Sequence, residues 1–374
     1  MLGHASLNHI YRTVWNPSLG VMVAVSEICG SHAHSGSGSG AVARAASWQF
    51  LGLHPLAMAA ALACGALPLS VNANPTGGVA IVGTAQMSAV GNQLTVTTQN
   101  GAGQGHSAIN WQTFSIPKGN TTYFAQPNAT STVINRVLTQ TPSQIFGILG
   151  SNGHVVLVNQ SGITVGAGAV VDTAGFTASA LRMTDADALA GRLRFGDGTA
   201  VDGEGAVSVL GHILARSGDV VILGSAIDTG KDALIQSPGG STLLAAGRQI
   251  ELTGRGLEGI SLQVQAPSDQ AVNLGTLQGD AVGIFAGTLK HSGLVQATTA
   301  TLEGGKVVLR AIQRADVDGS ISTQGAGGGQ IKVLADMENG TVHVSGALDA
   351  SAPVSGNGGF IETSAANVAL PVAP

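Results

Sequence analysis

The sequence predicts an all-β fold, a right-handed parallel β-helix (solenoid) with an N-terminal cap and one short extra-helical helix/loop insertion. Three observations carry this. First, glycine occurs 55 times in 374 residues, about twice its usual share of roughly 7%, and without the Gly-X-Y period of collagen. Second, hydrophobic residues make up 44% of the chain while aromatic residues make up 3% and charged residues 10%. That is enough for a long core, yet poor in the aromatic anchors and polar alternation of a β-sandwich. Third, one pattern recurs: "GAVVDTAGFTASAL" from Gly168, "GHILARSGDVVILG" from Gly211, "GSISTQGAGGGQIKVLA" from Gly319 and "GALDASAPVSGNGGFIET" from Gly346. Each is a short strand, a glycine-rich corner and a second short apolar strand. The last two begin 27 residues apart, the length of one solenoid coil.

The chain begins with a segment of another kind. No Asp, Glu, Lys or Arg occurs between Arg44 and Lys118, and inside that gap "FLGLHPLAMAAALACGALPL" (residues 50–69) runs into Val71-Asn72-Ala73. An apolar stretch before a small-residue site reads as a secretory signal, cleaved between Ala73 and Asn74. His54, Pro55 and Pro68 make it a poor membrane span, and Ala61 stands where a lipoprotein signal carries leucine before a cysteine such as Cys64. Cys29 and Cys64 are the only cysteines, so removal of residues 1–73 leaves an exported chain without disulfides, dependent on its core.

Residues 74–365 form the predicted β-helix. Each short strand pairs with its counterpart one coil away, roughly 4.8 Å distant, and inward Val, Ile and Leu, such as Val156 and Ile163, stack into a column. A single coil cannot bury its own apolar face, so stacking supplies the stability. In "HVVLVNQSGITVGAGAVV" (154–171) the alternation breaks at Asn159-Gln160-Ser161-Gly162. This reads as a corner: Asn159 bonds the turn backbone, Gly162 supplies a permissive φ, and Ile163 returns to the core. "TDADALAGRLRF" (184–195) reads as a short helix leaving the coil, with Thr184 as N-cap and Asp185 and Asp187 in its first turn. Asp197, Asp202 and Glu204 beyond it match no Ca²⁺-loop spacing and read as solvated loop acids. Residues 366–374, "NVALPVAP" with the preceding alanine, are a tail read as the end of a truncated frame.

Two stretches together resemble a known family. "LNHIYRTVWNPSLGVMVAVSEI" (7–28) is similar to the extended signal-peptide region of very large secreted Gram-negative proteins, with Leu7 where the starting methionine usually stands. "AINWQTFSI", "YFAQPNATSTVINRVL", "PSQIFGILGSNGHVVLVNQSGITVGAGAVVDTAGFTASAL", "LAGRLRF" and "GNGGFIETS" resemble, in order, the secretion domain of two-partner secretion exoproteins of the filamentous haemagglutinin and high-molecular-weight adhesin type. The resemblance implies an adhesin-type exoprotein. It would cross the periplasm unfolded, be recognised there by the periplasmic domains of an outer-membrane β-barrel transporter, and fold at the cell surface or in the medium. Two family motifs carry over as the secretion and recognition motif. One is the segment led by Asn135, Asn135-Arg136-Val137-Leu138. The other is Asn159, Gly162 and Ile163, with Gln160 and Ser161 departing from the family's Pro-Asn. Ser161 keeps a hydroxyl able to bond the corner backbone. A host-cell receptor or glycan is the implied target of the adhesive part, and a monomer is expected.

Other functions find less support. A net charge of −5 with 16 Lys and Arg and no basic run offers nothing to neutralise phosphates, so no nucleic-acid partner is expected. No cofactor or metal is expected either: His106, His154, His212, His291 and His343 are scattered without ligand spacing. "GAGQGHS" from Gly101 lacks the Lys-Ser/Thr of a phosphate loop. A secreted carbohydrate-active β-helix enzyme would need acids and bases aligned on adjacent coils; Asp316 and Asp318 with Arg310 and Arg314 are the best candidate cluster, and a solvated strand end explains them. A short secretion-domain decoy without cargo is the remaining alternative. Asn120, Asn128, Asn159 and Asn339 head Asn-x-Ser/Thr sequons, which chance explains in a chain so rich in Ser and Thr.

Overall fold

The computed structural model describes residues 11–16, 21–26, 74–199, 205–299, 304–323, 327–352 and 356–370. The proposed cleavage residue Ala73, and the acids Asp202 and Glu204, lie outside them. The chain divides into two compact units, Met1–Leu67 and Pro68–Pro374. Of the first, two antiparallel strands are described, Tyr11–Asn16 and Val21–Ser26, with Tyr11 opposite Ser26.

The second unit is a parallel β-helix, as the recurring pattern predicts. Its strands stack in three columns. The first holds Thr121–Ala125, Ile148–Ser151, Val170–Thr173 and His212–Ala215, paired in parallel. The second holds His106–Trp111, Thr132–Val137, His154–Val158, Gly175–Ser179 and Val220–Gly224. The third holds Ser143–Ile145, Ile163–Val165, Val207–Val209 and Ala226–Thr229. All three continue to the last coil, where Ser320 pairs with Ala347, 27 residues on. The offset inferred from the glycine-led pattern is thus one coil. First- and third-column strands alternate buried and half-exposed residues, such as Val170–Thr173, and their inward members form one continuous core from Leu94 to Ala350.

The N-terminal end is closed by antiparallel strands. Thr84–Val90 pairs with Gln93–Gln99, and Val79–Val82 runs against His106–Trp111. Under this cap sit three of the chain's few aromatics: Trp111 meets Phe114 edge-on with ring centroids 5.6 Å apart, and Phe114 stacks on Phe124 at 6.2 Å. Aromatic pairs of this kind contribute about 0.5–1.5 kcal/mol beyond area burial. Beyond them the core is filled by aliphatic residues, with Phe176 the aromatic exception.

The second column differs because both of its faces are covered. Gly175–Ser179 and Val220–Gly224 are buried along their whole length, which explains their near-continuous apolar sequences. The covering layer comes from two insertions. One follows Ser179 and carries helix α1 (Asp185–Ala190) and the strand Leu193–Gly196. The other follows Ala246 and carries Gln249–Leu252 and Ile260–Val264. These three strands make a separate antiparallel sheet. A second core lies beneath it, including Ile134, Val156, Met183, Ala188, Phe195, Val221, Leu243 and Ile250.

Three expectations are corrected here. Helix α1 forms with Thr184 as N-cap, but it stops at Ala190, where Gly191 at φ 66° ends it in the left-handed region; "LRF" is strand, not helix. Val156 does not face the coil interior. It points outward into the second core, while Ile163 lies in the main column as expected. The second insertion, residues 247–264, carries no helix-like pattern and was not anticipated.

Candidate functional site

Asn135 lies in the second column between Ile109 and Leu157, its partners on the adjacent coils, and both are core residues. A polar side chain in an apolar column must be bonded on all sides. Its Oδ1 accepts from Trp111 Nε1 at 2.9 Å, and its Nδ2 donates to Val133 and Val156 carbonyls at 3.4 and 3.3 Å. Asn135 therefore fixes the tryptophan under the cap. Replacing Trp111 by Phe keeps most of the ring but leaves Asn135 Oδ1 unpaired in a dry site. It is expected to destabilise the fold by about 1–3 kcal/mol, read as a lower denaturant midpoint at unchanged m-value.

Asn159 is also fully buried, at the corner between the second and third columns. Its Nδ2 donates to Thr141 O and Ser143 Oγ, both at 2.9 Å. Its Oδ1 accepts from Ser161 N at 3.0 Å, and its carbonyl accepts from Gly162 N at 3.0 Å. Gly162 has φ 103°, and Ile163 is buried, as the corner reading requires. A Cβ on Gly205, one coil on, would lie 2.1 Å from Gly162 N, so the two glycine backbones stack directly. Ser161 enters the turn through its backbone N–H rather than through the hydroxyl expected from sequence. Gln160 contributes its carbonyl, which accepts from Gly205 N at 2.7 Å. At both departures from the family motif the fold uses only backbone, so it tolerates the change.

The structure also joins the two motifs, which the sequence did not suggest. Arg136, next to Asn135, is buried and reaches the start of the first insertion. Its guanidinium donates to Thr184 O at 3.2 Å and pairs with Asp185. The Asn159 motif holds the other end, where Gly205 bonds Gln160 and Ile163 N donates to Ala206 O at 3.0 Å. The first insertion is thus clamped at its departure by one motif and at its return by the other. Between them lies a groove of about 900 Å³ lined by Arg136, Leu138, Gln160, Ser161, Arg182 and Asp185. Leu138 is 61% exposed there. The far end of α1 is tied by His106, whose Nε2–H donates to Ala188 O at 3.2 Å. Neither Arg136 nor His106 was singled out for this role from sequence. An arginine directly after a motif asparagine was the available signal.

The other candidate clusters do not assemble. Arg314 Nε donates to Asp316 Oδ2 at 2.7 Å, and His343 Nδ1 lies 3.8 Å from Asp316, all on a partly exposed strand face. Asp197 accepts from the hydroxyl and the backbone N–H of Thr199 and pairs with Arg182 at 2.8 Å. These bonds hold its carboxyl below the usual range. Among the described residues no three His, Cys, Asp or Glu side chains converge as metal ligands would, and no helix is long and apolar enough to cross a membrane.

Comparison with known proteins places these features. Residues 72–333 match the TPS secretion domain, and residues 8–56 match the extended signal peptide of the type V secretion system. The β-helix is similar to the secretion domain of HMW1 from Haemophilus influenzae, with TM-score 0.71 and 28% identity over 80% of this chain and 82% of that one. A heme/hemopexin-binding protein of Haemophilus influenzae is 36% identical over 115 residues, 31% of this chain and 12% of that protein. The chain therefore spans only a small part of that relative's length. A signal of the type V system followed by a β-helix matched along most of its coils is the arrangement of a protein sent through the periplasm to the outside of a Gram-negative cell, and the chain belongs to the TPS secretion-domain family, the exported exoprotein of a two-partner pathway.

Proposed function

We propose that the segments Asn135–Leu138 and Asn159–Ile163 are read by the periplasmic domains of the outer-membrane β-barrel transporter while the chain is unfolded, and that the same residues then set the register of the fold outside. One observation carries this reading. Asn135 and Asn159 are both wholly buried and hydrogen-bonded through both ends of their amides, so no partner can touch them once the coils close. Folding withdraws both asparagines and so weakens the product's affinity for the transporter. With no nucleotide outside the cell, coil-by-coil folding supplies the outward bias. Cleavage after Ala73 and a domain over 74–365 complete the proposal.

The chain acts in an adhesin-type exoprotein rather than as an enzyme. That reading rests on the family resemblance and on the likeness to the HMW1 secretion domain. A host receptor or glycan would be engaged by a longer protein's further coils. The name of the heme/hemopexin-binding relative belongs to a protein of which this chain matches 12%, and it gives no reason to assign haem binding here.

The test is binding of the purified periplasmic domains to two forms of the chain. Val156→Asp with Val171→Asp places carboxylates in both cores, outside the two recognition segments, and holds the chain unfolded, verified by circular dichroism. The unfolded form is expected to bind, and binding should be lost when Asn135 and Asn159 are also replaced by Ala. Equal or tighter binding by the folded wild type would sink the reading.

A further inference from the structure

We propose that the N-terminal end of the β-helix is a homodimer interface, in which two copies join by antiparallel pairing of their Thr84–Val90 strands, in place of the monomer expected from sequence. This rests on removal of the leader before Asn74, and on no other part of the functional reading.

Thr84–Val90 pairs on one side with Gln93–Gln99. No strand of the described residues pairs with its other side. Natural sheets protect such edges with charge, proline, bulges or short length. This one is seven residues long, TAQMSAV, pairs without a bulge, and holds no charge, proline or glycine. Beside it Val79, Met87 and Val90 are 63%, 40% and 76% exposed. An open, uncharged edge bordered by exposed apolar side chains is what strand addition uses.

The sequence of the strand points to a second copy as the occupant. Centred on Met87, an antiparallel pair of identical strands sets Met87 against Met87, Gln86 against Ser88, Ala85 against Ala89 and Thr84 against Val90. Every pair matches in kind: flexible with flexible, polar with polar, small with small, β-branched with β-branched. The sides also agree. Ala85, Met87 and Ala89 stand opposite Thr98, Val96 and Leu94, which are buried, so they lie on the core side of the sheet, with Met87 and Ala89 still exposed at this end of the stack, whereas Thr84, Gln86, Ser88 and Val90 lie on its outer side. A two-fold axis through Met87 keeps inner residues on one side and outer residues on the other. Self-complementarity about an axis is the requirement of an isologous dimer, and a foreign partner would not need it.

The two-fold relation supplies its own test. Gln86→Lys with Ser88→Lys puts lysines opposite lysines across the axis, and Gln86→Glu with Ser88→Glu does the same with carboxylates. All four side chains face solvent, so each variant keeps its fold, checked by circular dichroism and thermal midpoint. Sedimentation velocity is run on exported chain whose mass shows the leader gone; a leader still attached would overturn the proposal at its first step. Wild type is expected to pass from monomer to dimer with rising concentration. Each double variant should stay monomeric, and an equal mixture should form a one-to-one heterodimer. A monomeric wild type at every concentration, or a lysine variant that dimerises like wild type, would overturn it. A lysine variant that fails only in export, beside a monomeric wild type, would also overturn it and assign the edge to the transporter.

Discussion

Replacing Asn159 by alanine is expected to lower the stability of the folded domain by about 2–4 kcal/mol and to stop export. Five hydrogen bonds converge on this residue, three of them through its side chain. Each bond contributes about 0.5–1.5 kcal/mol net, and a buried group left unpaired costs about 1–3 kcal/mol. Ser143 is buried and loses its partner outright, while Thr141 is exposed and water can replace its bond. That difference sets the range. The lost corner also holds the return of the first insertion, so α1 and the Leu193–Gly196 strand should loosen, visible as faster amide exchange in residues 184–196. Ser143→Ala is the control. It removes one of the same bonds without altering the proposed recognition segment. Transporter binding by the unfolded chain should therefore fall with Asn159→Ala and stay unchanged with Ser143→Ala. If export falls in step with stability alone in both variants, the asparagine has only a structural role.

Mild acid is expected to destabilise the fold through His291. This imidazole is wholly buried, at the end of a polar chain inside the third column. Thr229 Oγ1 donates to Asn273 Oδ1 at 2.5 Å, Asn273 Nδ2 donates to His291 Nδ1 at 3.0 Å, and His291 Nε2–H donates to Ser320 O at 3.3 Å. Only the neutral ring fits, because a proton on Nδ1 would face the Asn273 amide hydrogens. Burial holds the pKa below the ordinary 6.5, with the Ser320 carbonyl, the charge of Asp318 and the Asn273 backbone carbonyl opposing in part. The adjacent Lys290 is exposed, and Asp316, which faces outward on the next coil, is tied to Arg314. The unfolded chain therefore binds the proton more readily than the folded one. The stability linked to this site is fully present above pH 6.5 and falls as pH drops from there to the folded pKa, by about 1.4 kcal/mol for each pH unit. His154 is lowered too, by burial and then by Arg255, and acts in the same direction. His291→Gln can keep both hydrogen bonds without titrating. The measurement is the denaturant midpoint from pH 8 to pH 4 for both proteins. Parallel curves would show that His291 is not a source of acid lability.

How much of this was legible in the sequence follows from how far apart the interacting groups lie. The coil period was readable because each coil repeats the same local problem: an apolar side chain inward, then a corner that favours glycine or asparagine. Ser320 and Ala347 sit one repeat apart for that reason, and the turn at Asn159–Ile163 was readable because the bonds that close it, from Ser161 N and Gly162 N to Asn159, span few residues. Thr184 as an N-cap and Asp187 beside it are equally local.

What the sequence could not disclose is contact between elements that no period relates. Arg136 and Asp185 lie 49 positions apart, and Leu193 and Leu252 meet across the extra sheet. The second apolar face of the middle column looks, in sequence, like any buried strand, which is why Val156 was assigned to the wrong core. The sequence by itself determined the solenoid, its leader and its secretion family, because repetition and local turn chemistry are written residue by residue. Only the tertiary structure decided that two separate asparagine motifs clamp the two ends of one insertion, because that depends on which coil stacks on which and where the chain leaves the stack and returns.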